Sequence, residues 1–365
     1  MEFVIKREDL LKPLQAVSGV VEKKQSMPIL SHVMLEVSEE QLRLTGTDTE
    51  VELQAKTDAV DTTMPGTTTL PARKIMDICR NLPDEAIISF SLDQAQATVK
   101  AGRSRFVLHT LPSEEFPKAD DEQFSSTLSV SQQSFRELLE GVAFSMAQQD
   151  VRYALNGMLL QYYDQGIRVV ATDGHRLALA TQALAVEERT EVIVPRKAVS
   201  ELLRLLDDDE QMIDIQISSR CLRIMTQDAV FTSKLIDARY PDFERVIPRG
   251  GDKIIMLDRD VLKQALSRVL VLSNEKYRGT RFMLEPGLLI LQANNPEQEE
   301  AIEEMEIDYS GDSLEIGFNG SYILDVLANV PSGPIKFTLN DPNSSMLIEA
   351  PTLENRVYVV MPMRL

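Results

Sequence analysis

The chain has 365 residues, 43% of them hydrophobic, and a formal net charge of −19, which suits two or three soluble domains, each with its own core. Two cysteines, Cys79 and Cys221, both in apolar patterns, exclude a disulfide framework and a zinc site, and no run of about 18 apolar residues suggests a membrane span. The opening MEFVIKREDLL lacks the apolar stretch of a signal peptide, so a soluble protein of a reducing, cytoplasmic compartment is expected.

In chain order, a strand is expected over Phe3 to Lys6, then an amphipathic helix over Arg7 to Ser18 with Leu10, Leu11, Leu14 and Val17 at helical spacing. Strand candidates follow at His32 to Val37, Gln41 to Thr45, Val51 to Lys56 and Thr67 to Leu70, where alternation as in Leu42-Arg43-Leu44 marks a sheet with one buried face. A second helix over Ala72 to Asn81 precedes strands at Ala86 to Phe90, Ala97 to Lys100 and Ser104 to Thr110.

The same order then recurs twice. Phe135, Leu138, Leu139 and Val142, and later Leu262, Leu266 and Val269, repeat the first helix; Arg196 to Leu206 and Ser321 to Val330 repeat the second. Small markers agree on a period near 125: Thr47-Asp48 with Thr172-Asp173, Pro71 with Pro195, and Phe116-Pro117 with Tyr240-Pro241. In the third copy Asn294-Asn295 replaces Thr-Asp. The polar stretches Lys118 to Ser126 and Arg249 to Asp252 divide the chain into domains at 1–122, 123–250 and 251–365. Two helices among about eight short strands per repeat give an α+β domain, with helices on one side of antiparallel sheet.

The acidic balance argues against nucleic acid unless the charge is segregated. It is: acids gather in Asp207 to Glu210 and Glu297 to Glu304, while Lys23, Lys24, Arg73, Lys74, Arg80, Arg196, Lys197, Arg204, Lys263 and Arg268 sit in or beside helices. Taken singly, such helices read as solvated faces.

The blocks Ser145-Met-Ala-Gln-Gln-Asp-Val-Arg-Tyr153, Thr172-Asp-Gly-His-Arg-Leu177, Phe231-Thr-Ser-Lys-Leu235, Ser273-Asn-Glu-Lys276, Asn294-Asn-Pro-Glu-Gln-Glu-Glu300 and Val360-Met-Pro-Met-Arg-Leu365 resemble those of the bacterial sliding clamp family, the β subunit of the replicative DNA polymerase. The resemblance runs the length of the chain. It implies three tandem clamp domains that close, as a head-to-tail homodimer, into a six-domain ring around duplex DNA, with helices lining the hole and sheets outside. It also implies a non-catalytic processivity factor without cofactors or metals.

Residue by residue, the resemblance places DNA contacts at Lys24, Arg73, Gln149 and Tyr153, with Arg196 and Lys197 as lesser candidates; Ala154 stands where the family has a second tyrosine. It places a groove for short linear segments of the polymerase, the clamp loader and repair proteins at Leu155, Thr172, Gly174, His175, Arg176, Leu177, Pro241, Arg245, Val246, Val359, Met361, Pro362, Met363 and Arg364. A chain end reading Val-Met-Pro-Met-Arg-Leu is apolar for a tail, and methionine suits a surface that accepts several ligands. The subunit interface is expected to set Lys74, Arg103, Arg105 and Phe106 against Val271, Leu272, Glu297, Glu299, Glu300, Glu303 and Glu304, with Ile302 an apolar departure in the acidic run.

Two other readings compete. A hydrolase would use Asp173 and His175, yet Ser145 and Ser273 lack a nucleophile-elbow motif and no phosphate-binding or dinucleotide fingerprint occurs; Thr-Asp-Gly reads more simply as a turn. A monomeric scaffold would bind the same partners without encircling DNA.

Overall fold

The computed structural model describes residues 1–21, 27–119, 122–186, 188–207 and 209–364. The first repeat contains β1 (Glu2–Lys6), α1 (Arg7–Ser18), β2 (His32–Val37), β3 (Leu42–Thr47), β4 (Val51–Thr57), β5 (Val60–Met64), β6 (Gly66–Pro71), α2 (Ala72–Asn81), β7 (Ile87–Asp93), β8 (Gln96–Ala101) and β9 (Ser104–His109). The second contains β10 (Ser126–Ser131), α3 (Gln132–Ala143), β11 (Gly157–Tyr163), β12 (Gly166–Thr172), β13 (Arg176–Ala183), β14 (Thr190–Pro195), α4 (Arg196–Leu205), β15 (Met212–Ile217), β16 (Cys221–Met225) and β17 (Ala229–Lys234). The third contains β18 (Lys253–Asp258), α5 (Arg259–Val269), β19 (Gly279–Glu285), β20 (Leu288–Asn294), β21 (Glu300–Glu306), β22 (Leu314–Asn319), α6 (Gly320–Ala328), β23 (Pro334–Leu339), β24 (Met346–Glu349) and β25 (Arg356–Val360).

The expected order therefore holds, with one strand unforeseen. β5 reads Val-Asp-Thr-Thr-Met, is largely exposed, and lies on the edge of its sheet beside β1, so no apolar alternation announces it. Three helix ends also differ: α4 stops at Leu205, α6 stops at Ala328, and α6 starts at Gly320 because the Asn319 side chain caps it, accepting from Ser321 N at 2.9 Å.

By contacts the chain forms two compact units, Met1–Arg136 with Ser200–Leu235, and Glu137–Val199 with Ile236–Leu365. In the first, α1 buries Leu10, Leu14 and Val17 against β3, β4 and α2, while α2 buries Ile75, Met76 and Cys79 and leaves Arg73, Lys74, Asp77 and Arg80 to solvent. Its sheets run β5-β1-β7-β8-β9 and β10-β15-β16-β17-β4-β3-β2-β6. In the second unit α5 packs on α6, β20 and β21, and the sheets run β14-β11-β12-β13-β25-β24-β23-β18 and β21-β20-β19-β22.

Each eight-stranded sheet joins two repeats through one antiparallel pair. In the first unit β17 pairs β4, with Phe231 opposite Leu53 and Ala229 opposite Ala55. In the second β25 pairs β13, with Tyr358 opposite Ala178 and Arg356 opposite Ala180. Phe231 and Tyr358 are both fully buried, so each joint is a continuation of core as well as of backbone hydrogen bonds.

Candidate functional site

The Thr-Asp pairs are turns built the same way twice. Thr172 Oγ1 donates to Arg176 O at 2.6 Å and accepts from Gly174 N at 3.0 Å, while Asp173 Oδ1 accepts from His175 N at 2.9 Å and Arg176 N at 3.0 Å. Thr47 donates to Val51 O at 2.9 Å, and Asp48 accepts from Glu50 N and Val51 N at 2.9 and 2.7 Å. Gly174 has φ +87°, the conformation Thr49 adopts at φ +78° in the first copy. The second oxygen of Asp173 accepts from Arg176 Nε at 3.1 Å. Asp173 is thus committed to the turn and to Arg176 and is not a dyad partner of His175.

Arg176 anchors this turn to α6. Its guanidinium donates to Phe144 O at 2.7 Å, pairs with Asp325, and lies 4.6 Å from the Tyr322 ring centre; the His175 ring stacks on Tyr322 at 6.3 Å. The chain end runs alongside. β25 holds Val359 opposite Leu177, Met361 N donates to His175 O at 2.8 Å, and Met363 N donates to Gly317 O at 2.8 Å. Ser345 Oγ donates to the Met361 sulfur at 2.9 Å. Beneath lies a core of Ala154, Leu177, Tyr240, Phe243 and Val359, against which Ile247 and Leu347 pack.

The groove residues expected from sequence fall in two layers. Leu155, Thr172, Leu177 and Val359 are buried and form the floor. Gly174, His175, Pro241, Arg245, Val246, Met361 and Arg364 are exposed, and Arg176, Pro362 and Met363 are half-buried. Val246 at 38% and Met361 at 37% exposure put two apolar side chains in reach of a ligand. Tyr322 was not foreseen; a helical tyrosine reads as core until Arg176 is seen against it.

The residues expected to face nucleic acid are less uniform. Lys24 lies outside the described residues. Arg73 is exposed on α2, and Tyr153, at 75% exposure, is a surface ring and not a core aromatic. Gln149 is exposed with φ +55° in a braced loop: Arg152 clasps Asp150 through two guanidinium bonds at 2.9 and 2.8 Å, and Asn156 bonds the Asp150 backbone both ways. The Arg152 guanidinium and backbone N–H hold the Asp150 carboxyl down at about 2. The same loop exposes Val151 at 90%, which the sequence did not single out. Arg196 and Lys197 are half-buried, and Arg196 Nη1 donates to Met146 O at 2.6 Å, so that guanidinium braces backbone. Among the described residues no cluster of His, Cys, Asp or Glu could hold a metal.

The residues expected at the interface lie on two sheet edges and beside them. β9, last in its sheet, carries Arg105 and half-buried Phe106, with Arg103 in the preceding turn and Val107 45% exposed. Lys74 is exposed on α2. β21, last in the other unit's four-stranded sheet, carries Glu300, Glu303 and Glu304 around Ile302, 52% exposed; Glu297 and Glu299 are exposed just before it, Val271 is 76% exposed, and Leu272 is half-buried. The acids are not all free to meet a partner. Arg268 Nε and Nη2 clasp Glu303 at 2.6 and 2.7 Å, holding its carboxyl below the usual range, Gln292 donates to Glu300, and Asn295 Nδ2 donates to Glu299 at 2.6 Å.

Three copies of one domain, joined edge to edge and with no catalytic constellation at their most elaborate turn, define a clamp-type assembly protein. Family models for the DNA polymerase III beta subunit match its N-terminal domain at residues 1–120, its central domain at 129–242 and its C-terminal domain at 244–364. The beta sliding clamp of Pseudomonas putida is 52% identical over 367 residues, and that of Escherichia coli 47% over 366, each covering all of both chains. A crystal structure of the Pseudomonas aeruginosa sliding clamp bound to griselimycin superposes with a TM-score of 0.97 at 50% identity, again over all of both chains. The chain belongs to the DNA polymerase III beta subunit family. It has three tandem clamp domains, and its function is that of a DNA sliding clamp, a processivity factor without catalysis of its own.

Proposed function

We propose that two copies close head to tail into a six-domain ring around duplex DNA, and that the internal joints dictate how they meet. Thr47 opposite Glu52, Thr172 opposite Leu177 and Asn294 opposite Glu300 close matching hairpins, so Leu53, Ala178 and Ala301 correspond. Ala101 opposite Ser104 matches the turn in which Thr226 N bonds Ala229 O, so Phe106 corresponds to Phe231, whose counterpart in β25 is Tyr358. In each intrachain joint the last strand of one repeat pairs the fourth strand of the repeat before it. The strands left over are β9 and β21. Joining them in the same register sets Phe106 opposite Ala301, Val107 opposite Glu300 and Arg105 opposite Ile302. That heterologous contact, made twice, closes a ring.

The domain limits 1–122, 123–250 and 251–365 are the units of that ring. Arg73, Gln149 and Tyr153 face the duplex, where weak phosphate contacts permit sliding because topology, and not affinity, retains the DNA. The groove beside Met361 takes short linear segments of the polymerase, the clamp loader and repair proteins, which exchange on one ring; the griselimycin complex of the Pseudomonas aeruginosa relative supports a ligand-accepting surface on this fold. The setting is the cytoplasm, at the nucleoid; no helix among the described residues is long and apolar enough to cross a membrane.

The observation that carries this reading is the pair of unmatched edges in positions equivalent to two matched ones. Disulfide trapping tests it. A chain with Val107→Cys and Glu300→Cys is expected to oxidise to a covalent species of twice the 41.0 kDa chain mass, which neither single variant yields. A doubly substituted chain that stays monomeric under oxidation would refute the register.

A further inference from the structure

We infer that the first unit contains a seat for a guanidinium group, in a cavity beside the β4–β17 joint. The second unit shows what such a seat holds. There Arg356, on β25, lays its guanidinium across α3, so that a Cβ on Gly141 would meet its Cζ at 3.2 Å. Its Nη2 donates to Glu137 O at 3.0 Å and its Nη1 to Asn329 O at 3.4 Å. An arginine thus fills the space between both helices and the joining strand.

The repeat carries each of these positions into the first unit. The α1 and α3 patterns match Leu10 with Phe135 and Val17 with Val142, so Glu137 corresponds to Lys12 and Gly141 to Ala16. The α4 and α6 patterns match Val199 with Ile323 and Leu206 with Val330, so Asn329 corresponds to Leu205 and Asp325 to Glu201. The joints match Ala180 with Ala55, so Arg356 corresponds to Ala229. Lys12, Ala16, Leu205 and Ala229 all line one cavity of about 660 Å³, ample for a small ligand. The arginine side chain is missing from its slot, and the slot remains.

Its chemistry fits a cation. Glu201, 6% exposed, reaches the cavity and corresponds to Asp325, the carboxylate that pairs with Arg176 in the second unit. Arg204 Nη1 donates to Glu201 Oε1 at 2.7 Å. Six further acidic residues line the cavity, among them Asp9, Asp58 and Asp228, against three basic ones. A carboxylate buried in an acidic cavity is satisfied best by a charged, forked donor. Ala16 adds a methyl where Gly141 has none.

The ligand class is therefore a guanidinium cation, carried by a free small molecule or by an arginine of a polypeptide. Titration calorimetry of the full chain with agmatine, and in a second arm with a glycyl-arginyl-glycine amide, separates the sources. Saturable binding of one ligand per chain is expected in at least one arm. Glu201→Gln should weaken it about tenfold or more, the loss of one charge-assisted bond, and Ala229→Arg, which supplies the guanidinium from within, should abolish it. An alkylamine of equal charge should bind about tenfold more weakly, lacking the fork. No saturable binding in either arm, equal binding of the alkylamine, or affinity unchanged by Glu201→Gln would overturn the assignment, and the last holds whether or not Ala229→Arg folds.

Discussion

Truncating Phe106 to alanine should weaken the dimer by an amount that counts the joints. Phe231 and Tyr358, its counterparts in the intrachain joints, are fully buried, whereas Phe106 is half-buried in the single chain. Closing the ring therefore removes at most about a third of the Phe106 side chain's surface from water. Burying a whole phenylalanine side chain stabilises by about 1.5–3 kcal/mol, so the third still exposed contributes up to roughly 0.5–1 kcal/mol per joint. A two-subunit ring has two identical joints, and complete dissociation breaks both. The dimer should lose about 1–2 kcal/mol, a roughly 5- to 30-fold rise in Kd. Sedimentation equilibrium of Phe106→Ala and the parent chain measures this directly. A Kd unchanged within about threefold would mean that Phe106 is not in the joint. Conversion to open chains or higher oligomers would mean that the contact does not close.

Three further outcomes follow from particular residues. Removing Met361 to Leu365 should abolish binding of a clamp-binding peptide in fluorescence anisotropy while leaving the dimer mass unchanged, because the tail flanks the groove and β25 itself ends at Val360; loss of the dimer would contradict that placement. Arg73→Glu should weaken DNA association and lower the salt slope by about one unit, as for a phosphate contact; an unchanged slope would remove Arg73 from the duplex face. His32 is buried, and burial first, with Lys74 nearby, lowers its pKa. The unfolded chain then binds the proton more readily, so stability should fall as pH drops below about 6.5 towards the lowered value, and be restored above it. His32→Gln should flatten that slope in urea unfolding, and an unaltered slope would assign the acid sensitivity elsewhere.

Much of this was legible in the sequence because periodicity and repetition report the same thing. α1 and α2 fall at the expected residues because apolar spacing marks one face of each, Leu10, Leu14 and Val17 in the first and Ile75, Ile78 and Leu82 in the second, where the structure also buries Met76 and Cys79. The Thr-Asp turns were legible because side-chain caps of this kind depend on neighbours two and three residues away. What depends on distant neighbours was not. β5 has no apolar alternation and exists through its pairing with β1. Glu303 reads as one more acid in an acidic run, and only the fold brings Arg268 to it across 35 residues. Arg196 reads as a helix cation and turns out to brace carbonyl oxygens. Arg356 was silent in sequence for the same reason, since its partners Glu137 and Asn329 are remote from it.

The central claim is that this chain holds DNA by encircling it. Loading the protein onto nicked circular plasmid with a clamp loader and ATP, washing in high salt, and then linearising half the sample tests that claim most directly. Screening removes electrostatic attachment over the Debye length, about 3 Å at 1 M salt, so only topology distinguishes the two DNAs. Retention on circles with loss from linear ends is the predicted result. Equal retention, or equal loss, on circle and line would contradict the ring and leave a monomeric scaffold as the better description.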